Sequence, residues 1–412
     1  MAVTELPPPR DVLGPLAWVR RNLFNGWVSS LVTIVLGGAL VAALALFVQW
    51  AVTQARWGVI TTNLRLFLMW VYPLDQAWRV WLCLAVLSLI GGLTAARAGR
   101  GPIRTLAVWL IAGQLLLAAL ATLSGIEAVA IGEREARAEE VFILAGGLLA
   151  SAATGFVALS LGRQLDMPGW PLAAAWALWL PFTMVLLQGF GPLSLVPTND
   201  IGGLLLTFIL ALAGIVLSFP LGVLLALGRR SDMIVVRWLS TGYIEVVRGV
   251  PLVTLLFMAA ILLPLFMPEG IRPEHIYRAI AGLTLFTAAY VAENVRGGLQ
   301  AIPSGQYEAA HAIGMNSIQT NLHIVLPQAL RSVIPANVGL FISLLKDTTL
   351  VAIAGTGLLE MLGIGQAVLA QRQWAGAYVE VYLFISAVFF VMCYTMSQAS
   401  YRLEAAMGVG KR

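Results

Sequence analysis

The sequence predicts an all-α, polytopic membrane protein: a transmembrane helix bundle of about ten spans. Two observations carry this. Of 412 residues, 59% are hydrophobic and only 11% are charged, too few charges to wet the surface of a soluble domain of this length. Apolar runs of about 20 residues also recur along the chain, each able to cross about 30 Å of hydrocarbon as a helix.

The runs follow in order. The first five are Val28–Trp50, Val80–Ala96, Leu106–Leu123, Val141–Leu161 and Pro171–Phe190. The second five are Ile201–Gly228, Val250–Phe266, Ile276–Ala292, Val333–Gly355 and Glu380–Gln398. The run Trp27–Trp50 is long enough to span and lacks a small-residue cleavage site, so it reads as a retained helix and not a signal peptide. Val80–Ala96 is short for a span. The Gly/Pro-rich stretch Gly189–Gly203 reads as a turn. It separates an N-terminal extension, 1–200, from a second region, 201–412, with five spans each. Trp50, Trp57, Trp78, Trp81, Trp170 and Trp374 fall near span ends, as interfacial anchors do.

Basic residues set the orientation. With the N-terminus in the cytoplasm, sixteen Lys and Arg fall inside and eight outside, Lys346 lying within a span. This is the expected positive-inside bias, and it puts both termini in the cytoplasm. The acidic stretch Glu127–Glu140 then falls outside; Glu133, Glu135, Glu139 and Glu140 read most simply as a solvated face. The net charge of +5 reflects topology and gives no sign of nucleic-acid binding. Cys83 and Cys393 sit inside apolar runs as small core residues. His275, His311 and His323 show no metal-ligand spacing.

One polar, helix-prone segment interrupts the later spans. Within 297–330, on the cytoplasmic side, lies Glu308–Pro327, EAAHAIGMNSIQTNLHIVLP. Tyr307–Ile313 should form a short helix whose Ala309 and Ala310 give it a thin face. Gly314 supplies a turn that most residues cannot. Asn316 or Ser317 can cap a second helix, on which Ile318, Leu322 and Val325 form one apolar face. Pro327 permits a bend before the chain re-enters the membrane. An ordinary amphipathic loop on the headgroups is the bland alternative.

The spacing is Glu308-Ala309-Ala310, three residues, Gly314, nine residues, then Ile324-x-Leu326-Pro327. It resembles the cytoplasmic coupling loop of bacterial ABC importer permeases. Tyr243–Leu256 (YIEVVRGVPLVTLL), Ala292–Gln306 (AENVRGGLQAIPSGQ) and Leu345–Leu350 (LKDTTL) resemble further segments of polar amino acid permeases. Together these cover about 201–405. The first half resembles, in length and layout, the N-terminal extension of the general L-amino acid permeases. The resemblance implies a type I importer core in 201–412, with Glu308, Ala309, Ala310, Gly314, Ile324, Leu326 and Pro327 transmitting motion from an ATPase. It implies three kinds of partner. These are a dimer of cytoplasmic ATPase subunits that bind ATP and Mg, a second, related permease subunit making a heterodimer, and a periplasmic amino acid binding protein.

The chain itself is not expected to be an enzyme. A phosphate-cradling loop needs G-x-x-x-x-G-K-[ST], but Lys346 is followed by Asp347 and Lys411 by Arg412. No cofactor or metal is expected in this chain.

Lys346 and Asp347 lie about midway along the expected span Val333–Gly355. Charges there cost about 2.5–3.5 kcal/mol each on insertion scales. Two readings stand side by side. Ser343, Lys346, Asp347, Thr348 and Thr349 border a path suited to a zwitterion, or they fix helix packing. Glu245 and Arg248, and Glu293 and Arg296, have the i,i+3 spacing of surface pairs. The resemblance makes them part of a gate, and a structural role is the simpler reading.

The alternative function is a proton-coupled secondary amino acid transporter using Asp347 and Lys346, with Glu245 as a further relay group. It lacks the paired interrupted repeats such folds carry. An intramembrane enzyme finds no motif, and a membrane scaffold leaves the 308–327 segment unexplained.

Overall fold

The structure, a computed structural model, describes residues 15–97, 102–131, 134–162, 164–165, 168–268 and 271–407. Arg10, Arg100, Glu133, Arg163, Lys411 and Arg412, named or counted above, lie outside the described residues, as do both terminal tails. Among the described residues all regular structure is helical, apart from one isolated parallel bridge between Gly203 and Glu360.

The chain forms two compact units, divided after Trp57. The first holds α1 (Pro15–Leu23) and α2 (Trp27–Thr53). No residue of α2 is buried, and its surface is leucine, valine, isoleucine and alanine on every side, as a helix bathed in lipid should be.

The second unit opens with two short helices, α3 (Gly58–Thr62) and α4 (Leu64–Met69). Val59, Phe67 and Met69 are fully buried. Three long helices follow: α5 (Ala77–Arg97), α6 (Pro102–Ile131) and α7 (Arg134–Leu161). The expected acidic loop is therefore mostly helix, with α6 and α7 reaching into it from both sides. Then come α8 (Gly169–Gln188), α9 (Gly203–Arg229) and α10 (Ile234–Gly249).

The next span is broken into α11 (Leu252–Phe257), a π turn over Met258–Leu262, and α12 (Leu263–Leu265). It is bent 108° from α10, at the Gly249–Pro251 junction where proline cannot continue the helix. The remaining elements are α13 (His275–Gln300), α14 (Ser304–Ala312), α15 (Ser317–Gln319), a π segment Thr320–Val325, and α16 (Leu326–Asp347). Short α17 (Leu350–Ile353) and α18 (Met361–Leu369) precede the last helix, α19 (Tyr378–Met407).

Among the described residues, eight helices are long and apolar enough to cross a membrane, or nine if the bent pair counts as one. The expected number was about ten. The 26-residue α13 coincides with the expected span Ile276–Ala292, but it carries Arg278, Glu293 and Arg296 and is not among the eight. A second correction matters more for function. Residues 333–347 of the expected span Val333–Gly355 belong to one helix running from Ser317 to Asp347, and 348–355 lie beyond its end. Lys346 and Asp347 therefore sit in its last turn and not at its middle.

One hydrophobic core runs from Val59 through α4, α5, α9, α13 and α18 to Ile385. The 1–200/201–412 division expected from the sequence passes through it. Specific contacts lock this joint. Gly203 has φ +62° and donates its N–H to the Leu359 carbonyl at 2.8 Å. A Cβ there would stand 2.5 Å from the Phe67 carbonyl oxygen, so only glycine lets α4 and α9 meet so closely. Arg79 is 1% exposed and donates to the carbonyl and hydroxyl of Ser194 at 2.9 and 3.0 Å. The Tyr72 hydroxyl donates to the Leu187 carbonyl at 2.8 Å. Trp81 and Trp374, expected as interfacial anchors, pack against the core instead.

Candidate coupling surface and substrate path

The polar segment folds as a capped helix, a turn and a second capped helix. Helix α14 starts after Pro303, three residues earlier than expected. It ends in a Schellman motif: the Gly314 N–H bonds the His311 carbonyl at 2.9 Å and the Met315 N–H bonds the Ala310 carbonyl at 3.1 Å. Gly314 sits at φ +83°, in the left-handed region such a cap requires. Two residues on, Asn316 forms a capping box with Gln319, with bonds of 2.9 and 3.0 Å. The helix it opens passes through the π segment without interruption into α16. Pro327 lies inside this continuous helix, just after the π segment, and leaves the bonding ladder one N–H short there.

The residues of this segment face two ways. Ala310 is 2% exposed, and Val325 is fully buried. Ile324 and Leu326 pack on a core of Ala226, Ile244, Val295, Leu299 and Ala329. Glu308, Ala309, Gly314 and Pro327 are exposed. The expected thin face is thus split between Ala309 outside and Ala310 inside. Three large apolar side chains stand out in this otherwise polar region: Ile313, Ile318 and Leu322, 75%, 70% and 50% exposed. The expected stripe Ile318–Leu322–Val325 is likewise divided, since Val325 turns inward. Tyr307 accepts from Arg230 at 3.1 Å and lies under its guanidinium, and Gln328 donates to Gln306 at 3.2 Å. These contacts fasten α14 to the ends of α9 and α16.

Above this surface lies a five-residue charge network. Glu293 pairs with Arg296 in a bidentate contact, and with Arg229 and Arg248 at 3.5 Å each. Arg229 also reaches Glu245 at 3.0 Å. The expected pair Glu293–Arg296 is present. The expected pair Glu245–Arg248 gives way to contacts between helices: Glu245 with Arg229 of α9, and Arg248 with Glu293 of α13. Arg229 was visible in the sequence only as a basic residue at a span end. Spacing along one helix cannot reveal a partner on another.

Glu293 lies past the expected span end at Ala292. Its carboxyl is held below the usual glutamate range, first by the Arg296 hydrogen bond and then by the three positive charges. A depressed carboxyl stabilises the fold above its ordinary pKa of about 4.3, and that contribution disappears as pH falls through the folded value. Glu293→Ala is expected to cost about 1 kcal/mol at neutral pH, since the arginines keep partial contact with solvent. Thermal melts of wild type and variant should converge at acid pH.

At the other end of the Ser317–Asp347 helix, Lys346 is exposed and Asp347 half-buried. No salt bridge joins either to an opposite charge among the described residues. Thr348 and Thr349 turn their hydroxyls back onto the carbonyls of Leu345 and Lys346, at 2.7 Å each. Ser343 lies one turn earlier, half-buried. The helix dipole favours a lysine in the last turn and disfavours an aspartate.

Residues 218–407 match the family described as binding-protein-dependent transport system inner membrane component. The chain is 38% identical to the glutamate/glutamine/aspartate/asparagine transport system permease protein BztC of Rhodobacter capsulatus, over 97% of this chain and 95% of that one. It is 35% identical to the inner membrane amino-acid ABC transporter permease protein YhdY of Escherichia coli, over 96% and 94%. It is 35% identical to the probable glutamine ABC transporter permease protein GlnP of Bacillus subtilis, over 49% of this chain and 90% of that one.

Proposed function

Because this chain belongs to the family of binding-protein-dependent transport system inner membrane components, as an amino-acid ABC transporter permease of the inner membrane, we propose that it imports polar L-amino acids by alternating access. A separate pair of ATPase subunits, which bind ATP and Mg, drives the cycle from the cytoplasm. A periplasmic binding protein delivers the substrate, and a second, related permease completes the pathway. The region 201–412 acts as the permease core, and 1–200 is an extension joined to it through the shared core.

The single observation that supports this best is the surface around Gly314. Ile313, Ile318 and Leu322 are large, apolar and exposed beside Glu308 and Ala309. A patch of this kind on a polar segment fits a protein partner better than water. Behind it, Tyr307, Ile324 and Leu326 tie the surface to the spanning helices. Motion imposed at the patch is thereby passed into the bundle, which is what alternating access requires.

The substrate class follows from BztC, named for glutamate, glutamine, aspartate and asparagine. Ser343, Lys346, Asp347, Thr348 and Thr349 supply both signs of charge for a zwitterion. Asp347 would receive the α-ammonium and Lys346 the α-carboxylate.

Gentle purification with mass spectrometry of bound chains, followed by reconstituted uptake, tests the reading. An ATPase and a second permease should accompany this chain, and uptake should need ATP and persist when the proton gradient is dissipated. Uptake by this chain alone that collapses with the gradient would overturn the reading in favour of proton coupling.

A further inference from the structure

Between the helices of the first half and those of the permease core lies a cavity of about 290 Å³. Its walls come from α4, α5, α6, α7, α8, α9 and α19, all within the second compact unit. The lining contains no charged residue. Trp109 and Leu116 of α6, 40% and 58% exposed, mark where it opens onto the surface of the bundle. In a multi-pass membrane protein that surface meets hydrocarbon, so the cavity opens towards lipid and not towards water.

Its shape follows from the positions along two helices. On α6 the lining runs from Trp109 to Leu120, and on α19 from Phe384 to Thr395. Each is eleven steps of helix, about 16 Å. The cavity is therefore elongated along the helix axes.

Its polarity is uneven. Gln114 bonds Ser88 at 2.8 Å, and Trp179 bonds the Cys83 carbonyl at 3.3 Å, so both are occupied. Trp81 Nε1 and Thr183 Oγ1 are buried without a hydrogen-bond partner. The Cys83 thiol beside Thr183 is at best a weak donor to it. Trp81 is four residues from the start of α5 and Thr183 five from the end of α8. Both lie about 6–8 Å in from the helix ends on the same side of the bundle. Neither atom is open to the cavity, so the surface that a ligand meets there is apolar.

We infer that this cavity is a binding site for one acyl chain of a bilayer glycerophospholipid. An uncharged lining, elongated along the helix axes and open towards hydrocarbon, fits such a chain. The lipid acts as a filler between extension and core. The site rests only on the membrane embedding of the bundle, so it stands or falls apart from the transport reading.

The test uses the full-length protein in nanodiscs with a phospholipid carrying a diazirine midway along its acyl chain. After photolysis, label should concentrate on the segments Trp109–Leu120 and Phe384–Thr395. A Cβ at Gly113, which lines the cavity, meets nothing within 4 Å, so Gly113→Phe fills the space. Label at both segments should then drop about tenfold. The control Gly146→Phe, on an exposed part of α7, should leave it unchanged. If Gly113→Phe does not insert, Ala387→Phe from the facing wall makes the same test. Label spread evenly over lipid-facing helices and indifferent to the filling variants would overturn the site.

Discussion

Gly314→Asp is expected to reduce amino acid uptake about a hundredfold or more, while the protein still inserts and accumulates at the normal level. Two properties of the position allow these effects to be separated. A Cβ at Gly314 meets nothing within 4 Å, so no clash inside the chain follows from substitution. The remaining obstacle is the backbone, at φ +83°. Asp and Asn tolerate the left-handed region better than other side chains, at a cost of about 1–2 kcal/mol. The Schellman bonds to His311 and Ala310 therefore survive. What changes is the surface: a carboxylate now stands among Ile313, Ile318 and Leu322. A partner burying that patch must desolvate an unpaired charge, which costs several kcal/mol. Gly314→Asn, with the same shape and no charge, should retain a substantial share of transport. Uptake assays with membrane quantification distinguish the outcomes. If Asn is as damaging as Asp, backbone strain and not docking is the cause.

The second large effect is expected at Glu360. This residue is fully buried and caps α18, its two carboxylate oxygens accepting from the Leu362 and Gly363 N–H groups at 2.8 and 3.0 Å. It lies between spanning helices, and no salt bridge serves it among the described residues. Burial pushes its carboxyl up to about 7, against the opposing pull of the two N–H bonds. The sign follows from linkage. A folded state that holds its proton more tightly than the unfolded chain gains stability as pH falls from above 7 towards the ordinary glutamate range. The full effect is up to about 3 kcal/mol. The purified protein should melt higher at pH 6 than at pH 8. Glu360→Gln removes the charge and keeps one capping oxygen, so its melting temperature should vary little over that interval and exceed wild type at pH 8. Glu360→Ala loses the cap and should be less stable at both. A wild-type melting temperature that is flat from pH 6 to 8 would show that Glu360 is not a buried titrating group.

Much of this architecture was legible in the residues, for physical reasons. A spanning helix must be apolar over its length, so α2, α6, α7 and α9 stand out in any window of suitable size. The Gly314 turn was equally readable, because a helix-prone stretch ending at glycine before Asn316 carries its caps in its local sequence. The misses share a cause: they depend on neighbours distant in sequence. Helices α3 and α4 are too short to show a period. The Glu245 and Arg248 partners lie on other helices. Arg79 stands just before the expected span Val80–Ala96, and its burial depends on Ser194, more than a hundred residues away. The placement of Lys346 and Asp347 failed because hydropathy detects where a segment becomes apolar, not where its helix begins. The polar first turns of the Ser317–Asp347 helix were assigned to a separate element.

That last feature has a mechanical side. A single helix of 31 residues is about 46 Å long. Such a rod is a lever: a tilt of about five degrees at the Asn316 end displaces the Asp347 end by about 4 Å. Its compliance is concentrated at the π segment Thr320–Val325, with Pro327 just after it, and at Pro335 inside α16, where the regular bonding ladder is broken. How far a push at one end arrives at the other is then a question of bending stiffness, set by those two joints.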